Sequence, residues 1–259
     1  MFSSIVKIPL PLGSGGFFIA LIIIGGWIAH LRLLLSTDLV ALSPALLFGA
    51  VLLQTFLNTG LFITAHEAIH GLACPENFIV NTLLGRFCAI AYAALPYKSL
   101  AVNHLNHHRY PMSAADPDFH SLEETRENAN FLVWYSHFIG QYWNGKQFVQ
   151  LASAIGIVLF LFRIPFLKIL LLWGLPLFLS SLQLFCFGTY LPHRGTQRSC
   201  ADSLEAANAS HALPWLLSLI TCYHFGYHQE HHARPDIPWW GLPALYEVPT
   251  ANRISGDRE

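Results

Sequence analysis

The segment His66-Glu67-Ala68-Ile69-His70 carries metal-binding side chains at a spacing that suits a single ion. Its pattern, H-E-x-x-H, is typical of zinc metalloproteases, in which the two histidines bind zinc and the glutamate is the general base. Because residues four apart share one face of a helix, both imidazoles can reach the same ion. Whether the chain is a protease depends on how many further ligands it supplies.

Histidine is frequent in this chain, with 14 among 259 residues. Two further segments have the form H-x-x-H-H, and two more histidines lie at expected edges of membrane spans. The ten candidate ligands are His66, His70, His104, His107, His108, His193, His224, His228, His231 and His232. A zinc site closes with four ligands, or with three and water, and imidazole suits Zn, Cu, Fe and Ni. The set therefore predicts two ions with four to five ligands each, and a single protease zinc leaves most of these histidines without a role.

The composition predicts an integral membrane protein. Apolar residues make up 54% of the chain and charged residues 11%, against roughly 25% charged in soluble proteins. Mean hydropathy is +0.45. The net charge of -1 argues against nucleic acid as a partner. The five cysteines include no C-x-x-C pair, so we expect buried free thiols and no thiolate metal site.

The apolar segments predict one all-α membrane domain over residues 1–259 with about four spans, at 17–35, 44–64, 148–162 and 168–191. Arg163, Pro165 and Lys168 separate the last two spans into a hairpin. Residues 78–96 are expected to be re-entrant or interfacial, because a full span would put His66 and His104 on opposite sides. Residues 97–147 are expected to form a helical cap in water, and residues 212–223 are too short to span.

Basic residues indicate the orientation. Segments 65–147 and 193–259 contain ten of the fourteen Lys and Arg residues. By the positive-inside rule, we expect the histidine-bearing face, its cap and both termini to be cytoplasmic.

Five segments carry a resemblance to a known family. They are "GLFITAHEAIHG" (60–71), "LPYKSLAVNHLNHH" (95–108), "DPDFH" (116–120), "FGTYLPHR" (187–194) and "TCYHFGYHQEHHARPDIPWWGLP" (221–243). Together they resemble the membrane fatty-acid desaturase and hydroxylase superfamily and, within it, bacterial and cyanobacterial β-carotene ketolases. The chain departs from the usual pattern at Glu67, where these ketolases carry Asp, and at Gln229. Both positions lie between expected ligands.

The resemblance implies a di-iron centre, held by histidines, that uses O2. Zinc is the alternative occupant in purified protein. The expected reaction converts the C4 methylene of a β-ionone ring to a ketone by two hydroxylations and a dehydration. β-Carotene would give echinenone and then canthaxanthin, and hydroxylated rings would lead towards astaxanthin. The carotenoid would enter from the lipid bilayer, and electrons would come from a donor such as ferredoxin.

Residue roles follow from the resemblance as expectations. All ten histidines are candidate ligands, with His224 as either the tenth or a supporting residue. Asp118 and Glu67 are the candidate catalytic groups: Asp118, like Asp116, would hold a ligand by a hydrogen bond, and Glu67 would orient an imidazole. For both aspartates the alternative is capping or a turn around Pro117.

The remaining histidines and two tryptophans are assigned other roles. His30, His137 and His211 are expected to be structural, and His120 is assigned to neither class. Trp239 and Trp240 would anchor the interface or cap the site. The last span would line a tunnel for the polyene through Ser180, Ser181, Phe185, Phe187 and Gly188, unless these residues serve helix packing.

Three alternatives remain at this point. A carotenoid 3-hydroxylase or an acyl-lipid desaturase would use the same metal centre. An intramembrane zinc protease would need one zinc and neither His231 nor His232. A metal transporter or a carotenoid-binding protein is the non-enzymatic alternative. It ranks last because transporters place ionisable ligands near the middle of the bilayer, whereas these clusters lie at span ends.

Overall fold

The computed structural model describes residues 14–111, 113–119, 130–193 and 210–246. Within these ranges all regular structure is helical, as the sequence predicted. We number the helices α1 (Gly15–Ser36), α2 (Pro44–Ile69), α3 (Phe78–Ala93), α4 (Tyr97–Arg109), α5 (Phe131–Tyr142), α6 (Gly145–Phe162), α7 (Phe166–His193), α8 (Trp215–Cys222), α9 (His228–Ala233) and α10 (Leu242–Tyr246). Short 3-10 turns occur at Leu39–Ala41 and Trp239–Gly241.

Four of these helices, α1, α2, α6 and α7, are long and apolar enough to cross a membrane. They confirm the four predicted spans, with ends that differ by a few residues. The largest difference is in α2, which continues through the H-E-x-x-H segment to Ile69. Its start is fixed by Ser43, whose hydroxyl accepts a hydrogen bond from Leu46 N at 3.3 Å, and by Pro44 in the first turn.

The predicted break between the last two spans is confirmed. Helix α6 ends at Phe162, Arg163 takes a left-handed conformation with φ 51°, and Pro165 precedes α7. Lys168 donates to the carbonyls of Leu35 and Thr37 at 2.6 Å each. A cation at the carboxyl end of α1 is favoured by the helix dipole, so Lys168 joins the hairpin to the first span.

Helices α3 and α4 form a sharply bent pair, with an angle of 98° between them. Helix α3 packs along α2, where Asn81 donates to Ala68 O at 2.7 Å and accepts from Cys74 N at 3.0 Å. The bend then brings α4 to the end of α2. The histidines of both helices therefore lie at the same end of the bundle.

Helix α2 is the centre of the bundle and contacts α1, α3 and α7. Polar contacts inside the bundle supplement apolar packing, as expected for helices in a membrane. Trp27 donates to Asn58 at 2.7 Å, and the Thr59 hydroxyl bonds to Ser180 at 2.9 Å. Large apolar side chains on the outer faces, such as Phe160, are exposed, which suits contact with lipid.

The carboxyl-terminal helices reach the site through a tight turn between α8 and α9. Tyr223 and His224 both have positive φ there, 49° and 61°. Tyr223 packs against Gly60 of α2, where an added Cβ would lie 2.5 Å from the tyrosine hydroxyl oxygen. That hydroxyl donates to Phe56 O at 3.2 Å. Because Gly60 has no side chain, the turn can lie directly against α2. Helix α9 therefore reaches the histidine-bearing end of α2.

Candidate metal centre and adjoining cavity

One group of histidines combines residues from three helices. His66 and His70 at the end of α2, His104 and His108 of α4, and His231 of α9 each offer one nitrogen within 4.8 Å of the others. The closest approaches are 2.7 Å between Nε2 of His70 and His104, and 2.9 Å between Nε2 of His108 and His231. We call these five residues the first cluster.

A second group lies beside it. His107 of α4, His193 at the end of α7 and His228 of α9 form the second cluster, in which all three side chains are buried. Nε2 of His107 lies 3.3 Å from Nε2 of His228. Nε2 of His232 lies 3.0 Å from the same His107 atom, so His232 adjoins the second cluster. The structure thus brings together nine of the ten histidines singled out from the sequence.

Each H-x-x-H-H segment contributes to both clusters. In α4, His104 and His108 belong to the first cluster and His107 to the second. In α9, His231 belongs to the first and His228 to the second. Residues four apart share a helix face, whereas neighbouring residues point in different directions. The two adjacent histidines at the end of each segment therefore point to different clusters.

The residues present fit a metal ion at each cluster. A nitrogen ligand lies about 2.0–2.1 Å from zinc, so two ligands of one ion can be up to about 4.2 Å apart, close to the spread of these nitrogens. Burial, with smaller contributions from nearby histidines, holds the pKa values of His104, His228 and His231 well below their usual range. Burial also lowers the pKa of His108 to about 3. Neutral imidazole is the form that binds a metal.

His107 is held differently from the other histidines. Asp116 accepts a hydrogen bond from its Nδ1 at 2.9 Å, while Asp118 lies 4.0 Å from the same atom. Burial alone would lower the pKa of His107, but the Asp116 hydrogen bond and the two nearby carboxylates outweigh burial and raise it. A carboxylate on Nδ1 fixes the tautomer and turns the Nε2 lone pair towards His228 and His232.

Asp118 is positioned mainly by α5. Tyr142 donates a short hydrogen bond to its Oδ1, and the indole N–H of Trp134 donates to its backbone carbonyl at 2.9 Å. Burial raises the pKa of Asp118 to about 6, although His107 opposes this. Tyr142 lies in no recognisable motif, and sequence reasoning missed it. Only the contact with Asp118 identifies it.

Glu67 is buried beside His66, with 3.5 Å between Oε1 and Nδ1. This distance is longer than a normal hydrogen bond. The other carboxylate oxygen has no hydrogen-bond partner within the described ranges.

His224 is the one candidate that the structure keeps apart from the clusters. Its ring packs on Trp215, Tyr227 and Trp239, at centroid distances of 5.2, 5.9 and 5.8 Å. His224 precedes His228 by four residues, a spacing that would put both on one face of a continuous helix. However, α9 begins at His228 and the residues before it form a left-handed turn. His224 consequently points into an aromatic pocket, which Trp239 helps to form.

Other histidines lie outside both clusters. His30 bonds to Gln54 at 2.7 Å, His211 to the Leu191 carbonyl at 2.8 Å, and His137 lies 3.3 Å from the Gln141 amide. His120 and both chain termini lie outside the described residues. The four described cysteines are free, and none of them belongs to a cluster.

A small, mainly apolar cavity adjoins both clusters. Its polar lining includes His66 and His104 of the first cluster and His107 and His228 of the second. Apart from four histidines and Asp118, the wall consists of Phe62, Ile69, Leu100, Phe138, Tyr142, Leu184, Gly188, Thr189 and Phe225. An apolar molecule with an oxidisable group could place that group beside both clusters.

Of the five residues expected to line a polyene tunnel, only Gly188 borders this cavity. Ser180 bonds to Thr59, Ser181 bonds to Tyr135 at 2.6 Å, and Phe185 packs on Trp134. Phe187 packs against the buried apolar core of the helix bundle. These four positions serve helix packing, which was the alternative interpretation of the sequence.

The chain matches the family described as fatty acid desaturase over residues 42–252. A beta-carotene ketolase of Paracoccus sp. (strain N81106 / MBIC 01143) is 35% identical over 224 residues, which cover 86% of this chain and 88% of the relative. A beta-carotene 4-ketolase of Protosiphon botryoides is 39% identical over 74% of this chain and 49% of its own length. A zeaxanthin 4-ketolase of Chlamydomonas reinhardtii is 34% identical over 88% of this chain and 50% of its own length.

Proposed function

This chain belongs to the fatty acid desaturase family, and from that premise we propose that it oxidises the C4 methylene of carotenoid β-ionone rings to a ketone. The observation that carries the proposal is the largely apolar cavity that touches both histidine clusters at the ends of α2 and α7. Such a cavity suits a hydrocarbon ring, and relatives similar over most of this chain are named for ketolation of β-carotene or zeaxanthin.

We assign the two clusters to two iron ions. The first would be held by His66, His70, His104, His108 and His231, and the second by His107, His193, His228 and His232. When bound, iron with O2 supplies an oxidant strong enough to break an alkyl C–H bond, which zinc does not. Asp116 orients His107, Glu67 supports His66, and Asp118 with Tyr142 forms the polar part of the cavity wall.

The reaction balances over two rounds. In each round one oxygen atom of O2 enters the C4–H bond as a hydroxyl. The other leaves as water, with two electrons from a reduced carrier protein such as a ferredoxin and two protons. The second round gives a gem-diol, which loses water to form the ketone. The phenylalanine and leucine side chains of the cavity hold the ring and exclude bulk water.

The same proposal places the protein in its surroundings. We treat residues 1–259 as one domain in the lipid bilayer, with the histidine clusters, the helices around them and both termini on the cytoplasmic side. The distribution of basic residues supports this orientation. The carotenoid reaches the cavity from the bilayer, and the electron donor approaches from the cytoplasm. β-Carotene and ring-hydroxylated carotenoids are both candidate substrates.

The test is pigment analysis in a bacterium that accumulates β-carotene, with and without the gene. We expect products that gain one oxygen and lose two hydrogens per ring, identified by chromatography and mass spectrometry. His231→Ala should abolish them and lower the iron content of purified protein. His137→Ala is the matched control, because His137 lies on α5 outside both clusters, and it should keep both activity and iron.

Other products would refute the assignment in specific ways. Oxygen gain without hydrogen loss would indicate a hydroxylase. Unchanged β-carotene with iron-loaded protein in the membrane would exclude carotene as substrate and favour acyl lipids. A protease on the H-E-x-x-H segment would keep its function in His231→Ala. The placement of His66 and His70 in a group of five histidines argues against that alternative.

A further inference from the structure

Thr189 stands out among the threonines of the spanning helices. Thr55 and Thr64 donate to the carbonyls of Val51 and Gly60, each four residues earlier and at 2.8 Å. This satisfies a hydroxyl inside a helix. Thr189 borders the cavity and, within the part of the chain that the structure describes, its hydroxyl has no hydrogen-bond partner. It is thus a donor and an acceptor available to a molecule in the cavity.

The local helix geometry explains this placement. Residues Cys186–Tyr190 form a π-helical turn within α7. Turns of this kind are rare and occur often at functional sites. The turn presents Gly188 and Thr189 to the cavity together. Since Gly188 lacks a side chain, the Phe225 ring packs directly against the helix at that point.

A second residue with a hydroxyl group, Tyr142, borders the same cavity. Tyr142 donates its proton to Asp118, so towards the cavity its oxygen can only accept. The cavity wall therefore combines an unengaged donor at Thr189 with an acceptor at Tyr142, among mainly apolar side chains. An unoxidised hydrocarbon ring cannot form a hydrogen bond with either group. A ring alcohol, which both donates and accepts, can use both.

We propose that Thr189, with Tyr142, binds the hydroxyl of the half-oxidised ring and retains the alcohol until the second oxidation. This inference rests on the proposed function. The alcohol is the product of the first round, in which C4–H becomes C4–OH. Retention presents the remaining C4–H bond for the second round, with the same O2 and electron demand. Thr189 is a positioning residue that decides whether the ring leaves as an alcohol or as a ketone.

The experiment compares Thr189→Val, which removes the hydroxyl and keeps the shape, with Thr189→Ser, which keeps the hydroxyl. Thr55→Val is the matched control, because its hydroxyl bonds to its own helix and Thr55 does not line the cavity. Two quantities are measured in membranes supplied with β-carotene or with its 4-hydroxy derivative. They are the ratio of 4-hydroxy to 4-keto rings and the KM for each substrate.

We expect Thr189→Val to raise the alcohol-to-ketone ratio by about 3- to 10-fold, the effect of one ordinary hydrogen bond. The KM for the 4-hydroxy carotenoid should rise by a similar factor, while the KM for β-carotene stays unchanged. Thr189→Ser and Thr55→Val should resemble the wild type. Tyr142→Phe should shift the ratio in the same direction. If Thr189→Val does not accumulate, Thr189→Ala removes the same hydroxyl without a second methyl group.

Three results would overturn the inference. A wild type that makes ketone, with variants lacking the hydroxyl that release no more alcohol, refutes the retention role and leaves the proposed function intact. An increased KM for a 3-hydroxylated ring alone, with an unchanged ratio from β-carotene, would assign Thr189 to the substrate's 3-hydroxyl instead. A wild type that leaves every carotenoid unoxidised refutes the proposed function and the inference with it.

Discussion

Removing the carboxylate of Asp116 should weaken the second metal site and leave the first intact. The Asp116 side chain is fully buried and lies 2.9 Å from Nδ1 of His107. His107 belongs to the second cluster only. The perturbation is therefore confined to one of the two proposed ions. Asp116→Ala removes the acceptor, whereas Asp116→Asn keeps a neutral acceptor and removes the charge.

The magnitude follows from the type of hydrogen bond. A hydrogen bond to a charged group contributes about 1.5–3 kcal/mol, and a neutral one about 1 kcal/mol. Since 1.4 kcal/mol is a factor of ten, Asp116→Ala should lower metal affinity by about 10- to 100-fold, the range usual for partners of metal-bound histidines. Asp116→Asn should lower metal affinity less, by about 3- to 10-fold. It can also still accept from Asp118 N, a bond of 2.9 Å that shapes the loop.

The assay is chelator competition on purified protein, with bound metal counted by mass spectrometry. We expect the wild type to release both ions over one range of chelator concentration, and Asp116→Ala to release one ion earlier. Asp236→Asn is the control, because Asp236 is exposed and paired with Arg234 at 2.7 Å. Equal retention of both ions in Asp116→Ala and wild type would refute the argument that Asp116 supports a ligand. Circular dichroism checks that the helices remain folded.

Two further changes test the packing around the centre. Gly188→Ala would place a Cβ 2.3 Å from Phe225, whose ring lies 5.1 Å from that of His66. We expect a stability loss of about 1–3 kcal/mol and less ketone, and an unchanged Tm with full activity would contradict this. His224→Phe removes two buried ring nitrogens that have no partner within the described ranges. We expect a full metal complement and stability within about 1 kcal/mol of wild type. Loss of an ion would instead identify His224 as a ligand.

The spans were predictable because hydropathy and helix-breaking residues act locally. The apolar runs, Pro44 and Pro165 gave the number of spans and the hairpin. The exact end of α2 was less predictable, since Glu67 and His70 are polar and hydropathy ends the span before them. Their surroundings come from distant parts of the chain, such as His104 of α4 beside His70, and a sequence window does not contain such contacts.

The histidines at the centre were predictable as a set, and their division was not. Counting ligands indicated two ions, but the spacing within an H-x-x-H-H segment does not say which ion each histidine reaches. In the structure, His107 and His108 belong to different clusters. The spacing rule failed for His224 because it assumes a continuous helix, which the left-handed turn interrupts. Tyr142 and Thr189 had no spacing signal, since their positions depend on how α5 and α7 pack around the cavity.

The division of each segment between the clusters affects how the site keeps its geometry. His107 and His108 are neighbours in α4 and project about 100° apart around the helix axis. The relation between the clusters is thus set inside one rigid helix, and again in α9 between His228 and His231. A movement of α2 against α7 would shift His66 or His193. It would leave the directions that α4 imposes on His107 and His108 unchanged, so part of the geometry that relates the two clusters does not depend on how the spanning helices pack.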